Sequence, residues 1–384
     1  MLATGFAVHA CTPGPGNDAI PPLPDPFTFL DGRSVTTKQQ WSARREEISG
    51  LLQKYQLGTL PNPPANVTGR VVFEGSAIGW VEVVVTEAGR TVGFTVNVEN
   101  VPQGDGPFPA IIVPGPSHPF PSDFPGVIFL SLDPWLIAPL GPPNTSRGKG
   151  LFYDLYGADH PAGSLIAYTW AISRLIDVLE KHPESKVNVN RLGVTGCYRD
   201  GKSSIVAAAF EPRIRLAVPM ESGVGGTPSW RISNDLKAQG VGVQRSNEAA
   251  SESTWYSQAF EDKWSCNIST LPYDQHLLLA LIAPRALLVI DNPAFPALGS
   301  ESSWGSTRAA RTAWQALGAA DSIGLTQSTH YLCTYVPSQK VFFQAYIDRF
   351  LKDKGGVNTT VWESDKSYPN YQEGKWVQWK VPQL

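Results

Sequence analysis

The stretch from 191 to 223 constrains the fold more than any other part of the sequence. It reads RLGVTGCYRDGKSSIVAAAFEPRIRLAVPMESG. Residues 192–195 are typical of a short buried strand, 202–210 form a run of small and apolar residues that predicts a helix, and 216–218 predict a second strand. A strand, a tight turn, a helix and a parallel strand make one βαβ unit.

The turn inside this unit, GCYRDG over residues 196–201, has the form of a nucleophile elbow. A glycine lies on each side of one central side chain, because the strained turn leaves no room for a Cβ against neighbouring backbone. The alternative interpretation is an ordinary turn between a strand and a helix, without a catalytic role. A nucleophile elbow normally presents a serine, whereas the central residue here is Tyr198.

The rest of the chain alternates between strand and helix patterns. Alternating apolar residues over 67–98 predict antiparallel edge strands, and 109–113, 126–130 and 286–291 predict buried strands. We expect helices over 36–55, 164–179, 307–317 and 341–351 (the last helix), an irregular polar insertion rich in binding surface over 224–275, and a loop over 329–337. This pattern predicts an α/β fold of the α/β-hydrolase type: a doubly wound, mostly parallel sheet with antiparallel edge strands and helices on both faces, a three-layer αβα sandwich.

Two segments are expected from the composition along the chain. Residues 1–21 are predicted to form an N-terminal arm, and a signal-peptide remnant is one explanation of its apolar start. Residues 22–384 are predicted to form a single domain, since 384 residues with 42% hydrophobic content supply one large core.

Charge and cysteine content restrict the partners and the compartment. The net charge of −3 suggests neither nucleic acid nor an anionic membrane surface as a partner, and no apolar run reaches the length of a spanning helix. The four cysteines are compatible with two disulfides in any of three pairings. N-x-S/T sequons occur at Asn66, Asn144, Asn267 and Asn358. Together these features favour a secreted, extracellular glycoprotein.

A serine hydrolase on this scaffold needs a serine, an acid and a histidine in that chain order. The acid candidate is Glu221, because it lies at the tip of the strand that follows the elbow helix. Its alternative role is that of a surface carboxylate at a strand end. His330 lies in the late loop where a base is expected, although a lone loop histidine is more often structural.

Several longer motifs closely resemble one known family. GVTGCYRDGK, PMESGVGGTPSWRIS, LIAPRALLVIDN, TAWQALG and GLFYDLYG are similar to the fungal glucuronoyl esterases, or 4-O-methylglucuronoyl methylesterases, of carbohydrate esterase family 15. Members of this family cut ester links between lignin alcohols and 4-O-methylglucuronic acid on xylan in plant cell walls. The resemblance extends from about residue 22 to about residue 351.

The resemblance implies a catalytic set in which two positions are substituted. The family elbow reads G-C-S-R-N-G-K, so the nucleophile position is Tyr198, and Arg199 is the residue that helps to hold the oxyanion. The family acid matches Glu221. The family base precedes a cysteine in H-x-H-C, which places Leu332 at the base position and leaves His330 as the remaining histidine.

The resemblance also implies a substrate pocket and a disulfide. The lysine, glutamine and glutamate that hold the uronate hydroxyls match Lys202, Gln244 and Glu252. The family tryptophan that follows V-I-D-N has no equivalent, and Phe295 or Pro296 lies there instead. The disulfide that joins the elbow to the base loop matches Cys197 and Cys333, and it leaves Cys11 and Cys266 as a further pair or as two free thiols.

Two functional hypotheses follow. The first is a secreted pseudo-esterase that binds 4-O-methylglucuronate esters, glucuronoxylan or lignin–carbohydrate material, as a monomer without metal or other cofactor. The first hypothesis is favoured because the phenol of Tyr198, with an ordinary pKa of about 10, is a poor nucleophile without an adjacent base. The second is an active ester hydrolase with a non-standard constellation. Ser203 and Ser204 are its nearest hydroxyls, although capping and packing explain them better. A structural protein without a ligand is a third alternative.

Overall fold

The computed structural model describes residues 20–115, 123–369 and 371–384, and within them the chain is built around one twisted β-sheet. Its strand order is β1-β2-β3-β5-β4-β6-β7-β8-β9-β10. The strands are β1 Asn66–Glu74, β2 Ala77–Glu87, β3 Arg90–Glu99, β4 Phe108–Pro114, β5 Ile128–Leu132, β6 Val187–Cys197, β7 Ile214–Met220, β8 Ala286–Asp291, β9 Ile323–Gln327 and β10 Trp362–Ser364. The pairs along β1, β2, β3 and β5 are antiparallel, and those from β5 through β10 are parallel.

Helices cover both faces of this sheet. They are α1 Lys38–Leu52, α2 Pro134–Ile137, α3 Pro143–Ser146, α4 Leu151–Tyr156, α5 Ser164–Leu179, α6 Arg199–Phe210, α7 Trp230–Ala238, α8 Ser246–Ser251, α9 Gln275–Ala280, α10 Ser300–Ala316, α11 Pro337–Tyr346 and α12 Glu373–Trp376. Helices α5, α6, α9 and α10 contribute to the core on one face, and α11 with the π-helical turn Ile347–Leu351 forms the core on the other. The predicted fold class, with an αβα arrangement, is confirmed.

The alternation of side chains along the central strands builds both cores. In β4, Ala110 and Ile112 belong to one core, and Ile111 and Val113 belong to the other. All four are buried, since successive side chains of a strand point to opposite faces and both faces are covered. The antiparallel strand β3 instead alternates exposed and buried residues, as the sequence pattern predicted.

Two predictions about helices are wrong in part. Helix α10 begins at Ser300 rather than near 307, because its serine- and glycine-rich first turns are stabilised by burial rather than by helix propensity. The chain also continues past 341–351 into β10, which extends the sheet beyond β9, and into α12.

The segment 224–275 is not the irregular, exposed insertion that its polar composition suggested. It contains α7 and α8, and the side chains of Trp230 and Trp255 are buried in the core. Its buried carboxylate is paired internally: Asp274 accepts hydrogen bonds from the backbone of Trp230 and Arg231 and forms an ion pair with the Arg231 guanidinium.

The turn between β6 and α6 requires both of its glycines. A Cβ on Gly196 would lie 2.6 Å from the backbone of Asp200, and one on Gly201 would lie 2.5 Å from the carbonyl oxygen of Met220 in β7. Both distances are shorter than any real Cβ contact, so larger residues would push the helix away from the sheet. None of the helices in the described segments is long and apolar enough to cross a membrane.

We predict that Gly201→Ala lowers the free energy of unfolding by about 2 kcal/mol or more, because the added methyl group overlaps backbone that cannot move independently. Denaturant unfolding followed by circular dichroism measures this effect. The matched control is Gly50→Ala in α1, where the added Cβ would meet no described atom within 4 Å. That control should stabilise the protein by about 0.5–1 kcal/mol. Equal effects of the two substitutions would contradict the proposed role of the close approach.

Candidate functional site

The residue at the centre of the elbow has the backbone conformation of a strained turn. Tyr198 precedes α6 with φ 56° and ψ −113°, a region that residues with a side chain rarely occupy. Its backbone N–H donates to the Met220 carbonyl oxygen at 3.0 Å, which ties the turn to β7. The protein therefore has the geometry of a nucleophile elbow, with a tyrosine at its centre.

The ring of Tyr198 lies between two cations and is half-buried. The Arg199 guanidinium carbon lies 5.9 Å from the ring centroid, and the Lys202 ammonium nitrogen lies 5.3 Å from it. Burial, followed by the negative charge of Glu252, raises the pKa of the Tyr198 phenol. The phenol is therefore protonated at neutral pH and is not activated as a nucleophile.

Lys202 is buried below this ring instead of lining an open pocket. Its ammonium group donates to the Ser222 carbonyl oxygen at 2.7 Å and lies 4.4 Å from the centroid of the Trp255 ring. Burial lowers the pKa of Lys202 to about 8, although the Glu252 carboxylate opposes the shift. The amino group is thus enclosed between the rings of Tyr198 and Trp255.

The other predicted substrate-binding residues lie beside this group. The Gln244 amide donates to the Glu252 carboxylate, and both side chains are half-buried. The Gln244 backbone N–H donates to the Ala297 carbonyl oxygen at 3.3 Å, in the short turn that follows the half-buried Phe295. The structure therefore brings Gln244 and Glu252 together and places Phe295 on an adjoining segment.

Glu221 lies at the tip of β7 and is fully buried. Its backbone also has a positive φ, 44°, and its N–H donates to the Ile290 carbonyl oxygen of β8. The carboxylate accepts the Cys333 backbone N–H at 2.8 Å and the Asn292 amide at 3.3 Å. Burial nevertheless raises the pKa of Glu221 to about 8, and its two hydrogen bonds only partly oppose this shift.

His330 lies close to Glu221 but does not use it as a partner. The His330 Nδ1 atom is 3.8 Å from the Glu221 carboxylate and only 2.8 Å from the Tyr331 carbonyl oxygen. The Asn292 amide nitrogen lies 3.1 Å from the same Nδ1 atom, so whether this atom donates or accepts depends on the tautomer of the ring. The other ring nitrogen, Nε2, is buried and has no hydrogen-bond partner in the described residues. The histidine ring is therefore enclosed beside the acid.

Leu332 points away from this buried cluster. Its side chain is 40% exposed, and the neighbouring Tyr331 is 87% exposed. The next residue, Cys333, has φ 58° and donates its backbone N–H to Glu221. The base position of the resemblance thus carries an exposed apolar side chain immediately next to the acid.

The nearby serines of α6 are engaged in the helix itself. The Ser203 hydroxyl donates to the Arg199 carbonyl oxygen at 3.2 Å, and the Ser204 hydroxyl donates to the Gly201 carbonyl oxygen at 2.8 Å. Both residues are buried. These contacts match the packing role expected from their sequence position.

Sequence reasoning missed Asn292 and Trp255. The Asn292 amide donates to the His330 carbonyl oxygen at 2.9 Å as well as to Glu221, so it joins the two loops. Its position directly after β8, at the carboxyl edge of a parallel sheet, was a signal that could have identified it. Trp255 was visible in the sequence only as one of several aromatic residues in 224–275.

Comparison with known proteins assigns the chain to a family. A family model described as "Glucuronyl esterase, fungi" matches residues 83–318. The 4-O-methyl-glucuronoyl methylesterase of Podospora anserina is 42% identical over 97% of this chain and 76% of the relative. The chain belongs to the fungal glucuronyl esterase family. The enzyme of the same name from Hypocrea jecorina is 40% identical over 99% of this chain and 81% of its own length.

Solved structures of glucuronoyl esterases have the same fold. The catalytic domain from Hypocrea jecorina superposes with a TM-score of 0.88 at 40% identity, and covers 96% of this chain and 98% of that one. The Sporotrichum thermophile enzyme, crystallised in complex with methyl 4-O-methyl-beta-D-glucopyranuronate, has a TM-score of 0.88 at 38% identity over 94% of this chain and 96% of its own.

The disulfide expected from the glucuronyl esterase family is present. Cys197 and Cys333 are bonded with their Cα atoms 5.5 Å apart, so the elbow and the late loop are joined across 136 residues of sequence. Cys266 is also disulfide-bonded, which excludes a free thiol there, and Cys11 lies outside the described residues.

We predict that Glu221 makes the protein less stable as the pH rises. Its pKa is raised from 4.5 to about 8 on folding, so the folded state binds the proton more tightly than the unfolded state. The resulting stabilisation is complete below about pH 4.5 and is lost as the pH rises to about 8, at about 1.4 kcal/mol for each unit of pKa difference.

Denaturant unfolding of the wild type and Glu221→Gln across this pH range measures the effect. The wild type should lose its advantage over the variant as the pH rises, while Glu261 and Asp291, whose pKa values are also raised by burial, titrate in both proteins. A difference in stability that stays constant with pH, or that grows with pH, would show that Glu221 is ionised in the folded protein.

Proposed function

We propose that this protein binds 4-O-methylglucuronate units of glucuronoxylan or lignin–carbohydrate material in the cleft at its elbow, and hydrolyses their esters slowly or not at all. This proposal rests on the observation that a tyrosine occupies the strained central position of the elbow, where φ is 56°. The elbow geometry is retained, so the chemical identity of the side chain is what differs from a serine hydrolase.

The surroundings of Tyr198 support a loss of covalent catalysis. Its pKa is raised rather than lowered, because burial outweighs the positive charge of Arg199 near its ring. Loss of one member of a serine triad costs about 10⁶ in turnover, and the oxyanion hole and binding alone leave roughly 10³–10⁴ over water. The His330 Nε2 atom is buried, which argues against this histidine as a substitute base.

The remaining groups of the cleft support carbohydrate binding. Gln244 and Glu252 offer amide and carboxylate atoms to sugar hydroxyls, and the Tyr198 ring offers an aromatic face to the C–H surface of a pyranose. Because Lys202 is enclosed below that ring, a uronate can reach it only when the ring turns aside, so we expect the affinity to be weak. The family membership and the ligand bound by the Sporotrichum thermophile relative support the uronate as the ligand.

An extracellular, glycosylated monomer is part of the same proposal. The Cys197–Cys333 disulfide is typical of oxidising compartments. The asparagines of all four sequons are exposed, which makes them accessible to glycosylation: Asn66, Asn144, Asn267 and Asn358.

We predict that the purified protein turns over benzyl or methyl glucuronate esters no faster than its Tyr198→Ala variant, because neither a nucleophile nor a base is in place. Product release measured by chromatography tests this. Rapid hydrolysis that disappears in Ser203→Ala or His330→Ala would overturn the proposal in favour of an active enzyme with a non-standard constellation.

The positive control for that assay is the double variant Tyr198→Ser/Leu332→His. It places a serine at the strained elbow and a histidine beside Glu221, at the positions that the family resemblance implies. Its turnover should exceed that of the wild type by roughly 10³-fold or more. The single variants Tyr198→Ser and Leu332→His should each remain close to the wild type, since the triad acts as a unit.

We predict that 4-O-methylglucuronic acid binds at millimolar concentration and that Lys202→Met weakens this binding at least about tenfold, because the ligand loses a charged hydrogen-bond donor. Methionine keeps most of the volume of the lysine stem, so packing around Trp255 is preserved. Titration calorimetry or ligand-observed NMR measures the affinity. Lys38→Met, at the exposed start of α1, is the control and should bind normally. Affinity that is equal in both variants would remove Lys202 from the site.

A further inference from the structure

A second aromatic cleft opens at the end of β10, and we call it the β10 pocket. It has a volume of about 430 Å³, within the usual range of small-molecule sites. Three aromatic and four polar residues line it: Trp304, Trp362, Tyr368, Glu363, Ser364, Lys366 and Ser367. None of the predictions made from the sequence used these residues.

The aromatic rings of the β10 pocket are half-buried and fixed by their neighbours. The ring centroids of Trp304 and Tyr368 are 6.2 Å apart with their planes at 49°, and the Arg311 guanidinium lies 4.7 Å from the Trp362 centroid. The Tyr368 hydroxyl donates to the buried Gln327 side chain at 2.9 Å. Rings held in this way offer contact area at little entropic cost to a ligand.

The polar residues of the pocket suit a hydroxylated ligand. Ser364, Ser367 and the exposed Lys366 supply hydroxyl and ammonium groups, and the Glu363 carboxylate keeps acceptor capacity besides its bond from Thr326 at 3.1 Å. A purely apolar ligand would strip water from these groups without replacing their hydrogen bonds. A pyranose ring has a C–H face that can stack on the aromatic residues and hydroxyls at its edge that can bond to the polar residues, so it matches both parts of the lining.

The β10 pocket is directly connected to the late loop that borders the elbow cleft. The Asp365 carboxylate accepts the Thr329 backbone N–H, the residue before His330, at 2.6 Å. Gln327, which receives the Tyr368 hydroxyl, donates in turn to Asp291 at 3.3 Å and to the Ser300 carbonyl oxygen at 2.7 Å. The two clefts therefore lie on the same carboxyl edge of the parallel sheet.

We propose that the β10 pocket binds a neutral pyranose unit of the polysaccharide chain that carries the glucuronate. Strand β6, which leads into the elbow, and strand β10 are separated by four steps in the sheet, which places the ends of the two strands about 19 Å apart. A short stretch of polysaccharide spans this distance, so the two clefts together hold one polymer at two points. This inference rests on the proposed uronate site for its choice of polymer.

The test compares a neutral ligand with a charged one. Titration calorimetry with an unsubstituted xylo-oligosaccharide probes the β10 pocket, and titration with 4-O-methylglucuronic acid probes the elbow cleft. Trp304→Ala and Trp362→Ala should each weaken binding of the neutral oligosaccharide by about threefold to tenfold and leave the affinity for the uronic acid unchanged.

Two further variants guard against effects on folding. Lys366→Ala changes an exposed side chain and should also weaken the oligosaccharide, without loss of circular dichroism signal. Trp80→Ala, on the half-buried indole of β2 near the opposite edge of the sheet, is the matched control and should leave both ligands unaffected.

The outcomes separate this inference from the proposed function. Oligosaccharide binding that is insensitive to the Trp304, Trp362 and Lys366 variants overturns the β10 pocket as a sugar site, as does preferential binding of an aromatic alcohol there. If the wild type does not bind the uronic acid, the proposed elbow site is contradicted. The β10 pocket is unaffected by that result, because the neutral oligosaccharide reports on it independently. Oligosaccharide binding that weakens in these three variants but not in Trp80→Ala supports the inference.

Discussion

The close approach of α6 to the sheet is the constraint on which the rest of the site depends. Gly201 packs against the Met220 carbonyl oxygen so closely that no side chain fits between them, and Gly196 does the same against Asp200. This contact fixes the turn that forces Tyr198 to φ 56° and projects its ring from the edge of the sheet. The strain of the turn is sustained by its surroundings rather than by the tyrosine.

A buried carboxylate holds the loops around that turn. Glu221 accepts hydrogen bonds from Cys333 and Asn292, which belong to two separate loops, and the Cys197–Cys333 disulfide joins the first of these loops to the elbow. The scaffold around the turn is therefore held together with a tyrosine at position 198 and a leucine at position 332. The positioning contacts are made by backbone groups and by Glu221, so they do not depend on what residues 198 and 332 are.

The substitution at the elbow changes the cleft as well as the chemistry. The rings of Tyr198 and Trp255 both lie close to the buried Lys202 ammonium group, and burial lowers the pKa of that group to about 8. A cleft with a covered cation, an aromatic face and the Gln244–Glu252 pair is better suited to weak recognition of a sugar than to reaction. The β10 pocket lies on the same edge, and it gives a polymer a second point of attachment.

The βαβ unit, the elbow turn and the alternation that builds two cores could be predicted from the sequence, because they depend on steric limits and periodicity within short windows. The Cys197–Cys333 pairing could also be predicted, through the family resemblance. The enclosure of Lys202, the burial of the His330 ring beside Glu221 and the link that Asn292 makes between two loops depend on the tertiary structure. The burial and helical structure of residues 224–275 and the early start of α10 also depend on the tertiary structure. The orientation of a side chain and the stability of a polar helix depend on neighbours that are distant in sequence, and no local pattern records them.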